Sequence, residues 1–232
     1  MPQAGPIERP VKATRASRVA EDLRQSILRG DLAPGEKVNL DRLRTHFGIS
    51  LSPLREAVSR LVTVGLVESE DQRGFRIAPV SVDDLAEVTR LRADFESLAL
   101  GYAVELAEID WESAVLGALH RLNRASRDPS ATDSAREAAH SAFHLALIEG
   151  CGMPILVGFC RNLHDLNLRY RRLFGAGLDE NRDMSAEHVA IAEAAAVRRD
   201  ADAACVLLRR HVERTGLDLS TRISRPPDQR PE

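Results

Sequence analysis

Residues 50–60, Ser-Leu-Ser-Pro-Leu-Arg-Glu-Ala-Val-Ser-Arg, constrain the fold of this chain more than any other stretch. They follow a short amphipathic segment that ends at Gly48. Ser52 is a good N-cap and Pro53 suits the first helical position, so a helix is expected to open there. Leu54, Val58, Leu61 and Val62 fall on one face of it, and Arg55 and Arg60 fall outside that stripe. Val67-Glu68-Ser69 and Phe75-Arg76-Ile77 then alternate as a β-ribbon, with Arg73-Gly74 at its tip. A plain helical hairpin with a solvated arginine face would account for the arginines alone. It does not account for the order of short helix, tight turn, second helix and two-stranded ribbon, which is that of a winged helix-turn-helix, a module that reads DNA.

Upstream, residues 1–15 are Pro-rich and polar and read as a loose N-terminal arm. A first helix is expected from about Arg18 to Arg29, with Val19, Leu23 and Ile27 inward and Gly30 as its stop. Asp31-Leu32-Ala33-Pro34-Gly35 is a turn signal, and a second helix spans about Leu40–Phe47 with Leu40, Leu43 and Phe47 inward. The winged module thus covers 16–80. After a very short linker, Ser81 can cap a new helix with Asp84 at its third position. In that long helix Leu85, Val88, Leu91, Phe95, Leu98, Tyr102 and Leu106 keep a 3.5-residue beat. Further helical patterns lie at about 111–125, 132–149, 154–174, 185–198 and 200–220, broken at Asp128-Pro129, Gly150-Cys151-Gly152 and Gly175-Ala176-Gly177. Residues 81–223 are therefore expected to form an all-helical antiparallel bundle of about six helices, and 224–232 a Pro-rich disordered tail. The fold class is mainly α.

Hydrophobic content of 44% over 232 residues supports a core in each part. No run of about 18 apolar residues occurs, so no membrane span is expected, and the N-terminus lacks a secretory apolar region. Cys151, Cys160 and Cys205 are odd in number and without CxxC spacing, which fits a reducing cytoplasm. Residues 1–80 hold 13 Lys and Arg against 10 Asp and Glu, whereas 81–232 hold 19 against 25. A mildly basic head on an acidic remainder fits a DNA reader joined to a domain with another task, and a nucleoid-associated location.

Five of the seven histidines lie after residue 130, counting His164. His140 and His144 are i, i+4 neighbours on one helix face; His188 and His211 lie on two further helices, each bracketed by apolar residues. Spacing alone leaves two readings open. In one the four converge as a nitrogen-rich site for Zn²⁺, Ni²⁺ or a similar divalent ion; in the other they are hydrogen-bonded core histidines. His46, His120 and His164 read as surface or structural. No G-x-S-x-G, P-loop or GxGxxG occurs, and no cysteine has an obvious histidine base nearby in sequence, so an enzyme is not expected. A metal-dependent hydrolase would need a carboxylate base, for which Glu187 is the adjacent candidate.

The order of short motifs resembles the GntR family of bacterial transcription regulators, in the FadR-like subfamily with an all-helical FCD effector domain. The matching text is Leu23-Arg24-x-x-Ile27, Gly30-x-Leu32-x-Pro34-Gly35, Gly48-Ile49-Ser50, Pro53-Leu54-Arg55-Glu56-Ala57, Gly65-Leu66-Val67 and Arg73-Gly74, then Leu91-Arg92-x-x-x-Glu96, Phe143-His144, Glu187-His188-x-x-Ile191, Arg199-Asp200-Ala201 and His211. The resemblance implies that Ser50, Ser52 and Arg55 contact double-stranded operator DNA in the major groove, with Arg73-Gly74 near the minor groove. It also implies a metal centre of one Asp and three His inside the bundle. Here His140 stands at the Asp position, so the set would be His140, His144, His188 and His211. Leu51 stands where the family usually carries Arg, and Arg44 where it usually carries Ala, which bears on operator preference.

The expected protein is a homodimeric, ligand-responsive regulator, a repressor rather than an activator, with a small organic-acid effector whose carboxylate completes the metal's coordination. Arg92 is the candidate effector-binding residue, against a structural ion pair with Glu96 at i+4. Two other classes remain: a metalloenzyme with a DNA-targeting head, and a DNA-binding protein whose helical part only dimerises.

Overall fold

The computed structural model describes residues 14–175 and 183–224. The expected tail beyond Ser224, and all but the last two residues of the expected arm, lie outside them. The described chain divides into two compact units, one drawn from the residues up to Ala78 and one from Pro79 onward, with Leu28–Gly30 grouped with the second.

In the first unit, α1 (Arg15–Arg29) begins three residues earlier than its apolar pattern suggests, because the Thr14 hydroxyl accepts the Ser17 amide at 3.1 Å. Val19, Leu23 and Ile27 are its buried stripe, and Gly30 leaves it at φ +82. α2 (Leu40–Phe47) has the expected bounds, with Asn39 accepting the Arg42 amide at 2.9 Å. Its Leu40, Leu43 and Phe47 are only half-buried. Gly48, at φ 60, turns the chain in the left-handed region, and Ile49 and Ser50 complete the turn into α3 (Leu51–Thr63).

The N-cap of α3 is Ser50, not Ser52. Ser50 is extended (φ −77, ψ 166) and its side chain makes no cap bond. Pro53 sits at the third helical position, where the backbone N–H would have no intrahelical acceptor in any case. Leu54, Ala57, Val58 and Leu61 are buried and Val62 is half-buried. β1 (Val67–Glu70) pairs antiparallel with β2 (Gly74–Ile77), Val67 opposite Ile77 and Glu70 opposite Gly74. Gly35, the last residue of the stretch read as a turn, and the residues after it line the outer edge of β2: Gly35 N–H donates to Ile77 O, Ile77 N–H to Glu36 O and Val38 N–H to Phe75 O, at 2.8–2.9 Å. A sheet edge that would otherwise be open is thereby paired.

The second unit consists of α4 (Val82–Leu106), α5 (Ile109–Arg127), α6 (Asp133–Glu149), α7 (Pro154–Phe174), α8 (Met184–Ala192) and α9 (Ala201–Ile223). α8 runs into a π turn, Glu193–Val197, so the expected helix over 185–198 is two pieces. Ser81 caps α4 as expected, accepting the Asp84 amide at 3.0 Å. The Ser81 amide does not meet the Asp84 carboxylate directly; it donates to the Tyr170 hydroxyl at 3.2 Å, and that hydroxyl donates to Asp84. α4 packs chiefly against α9 and α7, and α5 against α6.

The apolar beat along α4 splits between two faces. Leu85 and Val88 are buried, but Phe95, Leu98, Tyr102 and Leu106 are 37–62% exposed. From Arg92 onward the inward positions are Arg92, Ala93, Glu96, Ser97, Ala99, Leu100, Ala103 and Val104. The small residues on that face let α7 and α9 approach closely, and the larger apolar side chains are left on the opposite one. No helix among the described residues is long and apolar enough to cross a membrane.

Candidate functional site

Two groups of residues carry chemistry, and they differ in exposure. On the first unit, Ser50, Ser52 and Arg55 are exposed at the start of α3, and Leu51 beside them is 38% exposed. Arg55 has no side-chain partner among the described residues. Arg60 is tied down, donating to Glu56 at 2.6 Å and to Ser17 at 2.9 Å. At the ribbon tip Gln72 (φ 58) and Gly74 (φ 96) turn the chain, leaving Arg73 exposed, while Arg76 is held by Glu70 and the Gly35 carbonyl. Arg44 is exposed on α2.

In the second unit, α6 supplies His140 and His144, α8 His188 and α9 His211. All four are buried, and one ring nitrogen from each lies within 4.8 Å of the other three. Both nitrogens of His140, both of His144 and Nε2 of His188 are buried without a hydrogen-bond partner. Each such group left unsatisfied costs about 1–3 kcal/mol, which hydrogen-bonded core histidines would avoid. Tetrahedral coordination by imidazole at about 2.0–2.1 Å needs nitrogens roughly 3.4 Å apart, within reach of small ring rotations.

Burial pushes the imidazoles of His140, His144 and His188 well below the usual histidine range, and neighbouring imidazoles and the Arg171 guanidinium push the same way. Neutral imidazole is the form that ligates a metal. His211 Nδ1 lies 2.8 Å from Glu187 Oε2, and Arg214 donates to the other oxygen at 2.7 Å. A carboxylate behind one ring nitrogen is the arrangement that fixes the orientation of a ligating histidine. Glu187, read from the sequence as a base beside the metal, thus stands behind His211. The donor set fits a borderline divalent ion.

Arg92 and Glu96 are both buried on α4 and form a bidentate pair, Nε to Oε1 at 2.7 Å and Nη2 to Oε2 at 3.3 Å. Glu96 Oε2 lies 3.6 Å from His144 Nδ1. His164, grouped from the sequence with surface or structural histidines, is buried on α7 between Ser141 (Nε2 at 2.9 Å) and Arg92 (Nδ1 at 3.4 Å). His120 and His46 are exposed. The sequence reading missed two further residues of α7, Asn167 and Arg171. Their signal is faint: they share with His164 the i, i+3, i+7 face of an otherwise apolar pattern. A surface groove of about 870 Å³, lined by His120, Arg121, Arg124 and Arg127 among others, includes none of the four clustered histidines.

Residues 15–77 match the model for bacterial regulatory proteins of the gntR family, and residues 87–214 match the FCD domain. An uncharacterized HTH-type transcriptional regulator of Paraburkholderia xenovorans, BphR, is 35% identical over 195 residues, covering 82% of this chain and 79% of its own length. The HTH-type transcriptional repressor GlaR of Escherichia coli is 31% identical over 196 residues, covering 82% and 89%. Among solved structures, E. coli McbR/YncC superposes with a TM-score of 0.78 at 22% identity, over 92% of this chain and all of that one, a likeness of fold. These families and relatives are transcription regulators, not enzymes, and the metalloenzyme reading falls with that. The chain belongs to the GntR family of bacterial transcription regulators and carries an FCD domain.

Proposed function

We propose that this regulator is a homodimeric repressor that binds operator DNA through α3 and the ribbon tip, holds one divalent transition metal in its helical unit and responds to a small organic acid there. The observation that carries the metal reading is the convergence of His140, His144, His188 and His211, all buried with one ring nitrogen each within 4.8 Å of the others, five nitrogens of the first three having no hydrogen-bond partner. Zinc and nickel suit four neutral nitrogens best. An ion bound there could take a carboxylate oxygen only by expanding beyond four ligands, as zinc and nickel can. Ser50, Ser52 and Arg55 would meet bases and phosphates of the major groove, and Arg73-Gly74 the backbone beside the minor groove.

The repressor sense is supported by the name of the GlaR relative. A second copy is supported by the exposed apolar row Phe95, Leu98, Tyr102 and Leu106 on α4, and by the half-site that a single winged module reads. α7 carries His164 at the histidine cluster and Tyr170 at the cap of α4, a route by which an occupant of the interior reaches the start of that helix. Arg92, read from the sequence as the effector's anchor, is already engaged by Glu96, and we assign it the holding of that carboxylate behind His144.

The test is metal analysis of full-length protein, followed by operator titration with and without organic acids. About one metal per chain and an effector coupling of about 1–3 kcal/mol on operator affinity are expected. Metal-free protein under metal-replete conditions would overturn the metal centre. Acids that bind without altering operator affinity would leave a ligand site that is not a switch. A chain that stays monomeric in solution would remove the homodimer.

A further inference from the structure

Asn167 is 1% exposed, and its amide nitrogen has no hydrogen-bond partner. Arg171, one turn further along α7, has its side chain 10% exposed. Its Nε and Nη2 form a fork onto Glu137 at 3.0 and 2.8 Å. Its Nη1, outside the fork, is buried without a partner. The two orphans are on the helix face of His164, which touches Arg92 and Ser141 at the histidine cluster. Glu137 stands one turn before His140 on α6, so the fork holds Arg171 beside the histidine cluster. The charge of Arg171 is close enough to help depress His140, His144, His164 and His188.

Both unpartnered groups are donors. A fold that buries two donors on one face, beside a cluster lined with unpartnered nitrogens, has a place for an acceptor that the chain itself does not supply. The charges narrow what that acceptor is. The carboxylates that reach the chamber are each matched by an arginine: Glu96 by Arg92, Glu137 by Arg171, Glu187 by Arg214. The four imidazoles are neutral ligands. A divalent ion among them therefore brings two positive charges that these pairs leave unbalanced, and a buried unbalanced charge is strongly disfavoured.

We propose that Asn167 Nδ2 and Arg171 Nη1 form a second subsite that receives the far carboxylate of a dianionic effector whose near carboxylate meets the metal. The effector class is thus the dicarboxylates rather than simple monocarboxylic acids. This rests on the metal-and-carboxylate reading above and adds to it the residues that set specificity.

The experiment is calorimetric titration of full-length, metal-loaded protein with succinate and glutarate, each against the monocarboxylate of equal length, butyrate and pentanoate. At least one dicarboxylate should bind about tenfold or more tighter than its partner, as expected for charge-assisted hydrogen bonds to a buried site. Asn167→Leu and Arg171→Lys, the latter keeping a cation for Glu137, should each bring that ratio to within about threefold. Metal content and monocarboxylate affinity should not change. A wild type that does not distinguish the paired acids overturns the subsite, as do folded, metal-loaded variants that keep the preference. If metal-loaded wild type binds none of the four acids, the carboxylate reading falls and the subsite with it; loss of the preference alone leaves that reading standing. Should both variants fail to fold, the wild-type ratio still decides.

Discussion

The two units place their polar residues in opposite ways. In the winged unit Ser50, Ser52, Arg55 and Arg73 are all on the outside, and the interior is apolar: Val19, Leu23, Leu54, Leu61, Leu66 and Ile77. In the helical unit the interior holds Arg92, Glu96, four clustered histidines, His164 and Asn167, while Phe95, Leu98, Tyr102 and Leu106 are left outside. A long polyanion can be met only by exposed donors, and an ion or small acid is held best where water is excluded. The difference is between an exposed polar surface and a buried polar interior, and the proposed function assigns a different kind of partner to each.

The comparison breaks most sharply at the chamber. His144→Ala should abolish metal retention, read by metal analysis of purified protein. If the wild-type ion is present at about a thousand times its dissociation constant, the loss amounts to about 4 kcal/mol of stability. Thermal unfolding with and without chelator measures it: chelator should lower the wild-type midpoint and leave that of His144→Ala unmoved. His120→Ala, on an exposed position, should keep the metal. A chelator-insensitive wild type would make the orphaned nitrogens a purely structural feature.

The frame of the chamber comes next. α4 and α9 approach closely at Gly216, where an added Cβ would lie 2.9 Å from the Cβ of Thr89. Gly216→Ala gains up to about 1 kcal/mol of helix propensity. It should nonetheless destabilise the chain by about 1–3 kcal/mol, since the close contact with the Thr89 side chain has to open. His211 is on the same helix, so metal affinity should fall too. Urea unfolding of the metal-free and metal-loaded forms separates the two effects.

How much of this was legible in the sequence differs between the units for the same reason. The winged unit is built from local signals, and its elements were readable to within a few residues: α2 has the expected bounds, and Gly30 and Gly48 stop their helices. The N-cap of α3 was misplaced because Ser50 and Ser52 are equally plausible caps, and only the backbone decides between them. The pairing of Gly35–Val38 with β2 is a long-range contact that no local pattern carries. In the helical unit, helix count and breaks follow from periodicity, and α7 was bounded correctly over 154–174. Which face of each helix turns inward does not follow from hydrophobicity when the interior is polar. That is why the beat on α4 points to Phe95 and Leu98, why His164 reads only as surface or structural, and why Asn167 and Arg171 carry little signal. The four clustered histidines were found because H-x3-H and a family motif marked them.

On the outer surface the expected effects are smaller. Arg55→Ala should cost about 1–3 kcal/mol of operator affinity if the guanidinium reads a base edge, and the loss should depend on sequence. A loss uniform across sequences, with a shallower salt slope, would make Arg55 a phosphate contact.

Arg60 gives the smallest and most discriminating test. On the helix surface Arg55 and Arg60 look alike from the sequence, both outside the apolar stripe of α3. The structure separates them: Arg60 is already paired with Glu56 and Ser17, and Arg55 is not. Its ion pair is exposed, with side chains 47% and 56% accessible, so it is worth at most about 1 kcal/mol to the fold. Arg60→Ala should change operator affinity by less than Arg55→Ala and shift the unfolding midpoint only slightly. Electrophoretic mobility or anisotropy titrations of the two variants at two salt concentrations measure the contrast. Equal losses would mean that exposure alone, and not the absence of an internal partner, selects the residues that meet DNA.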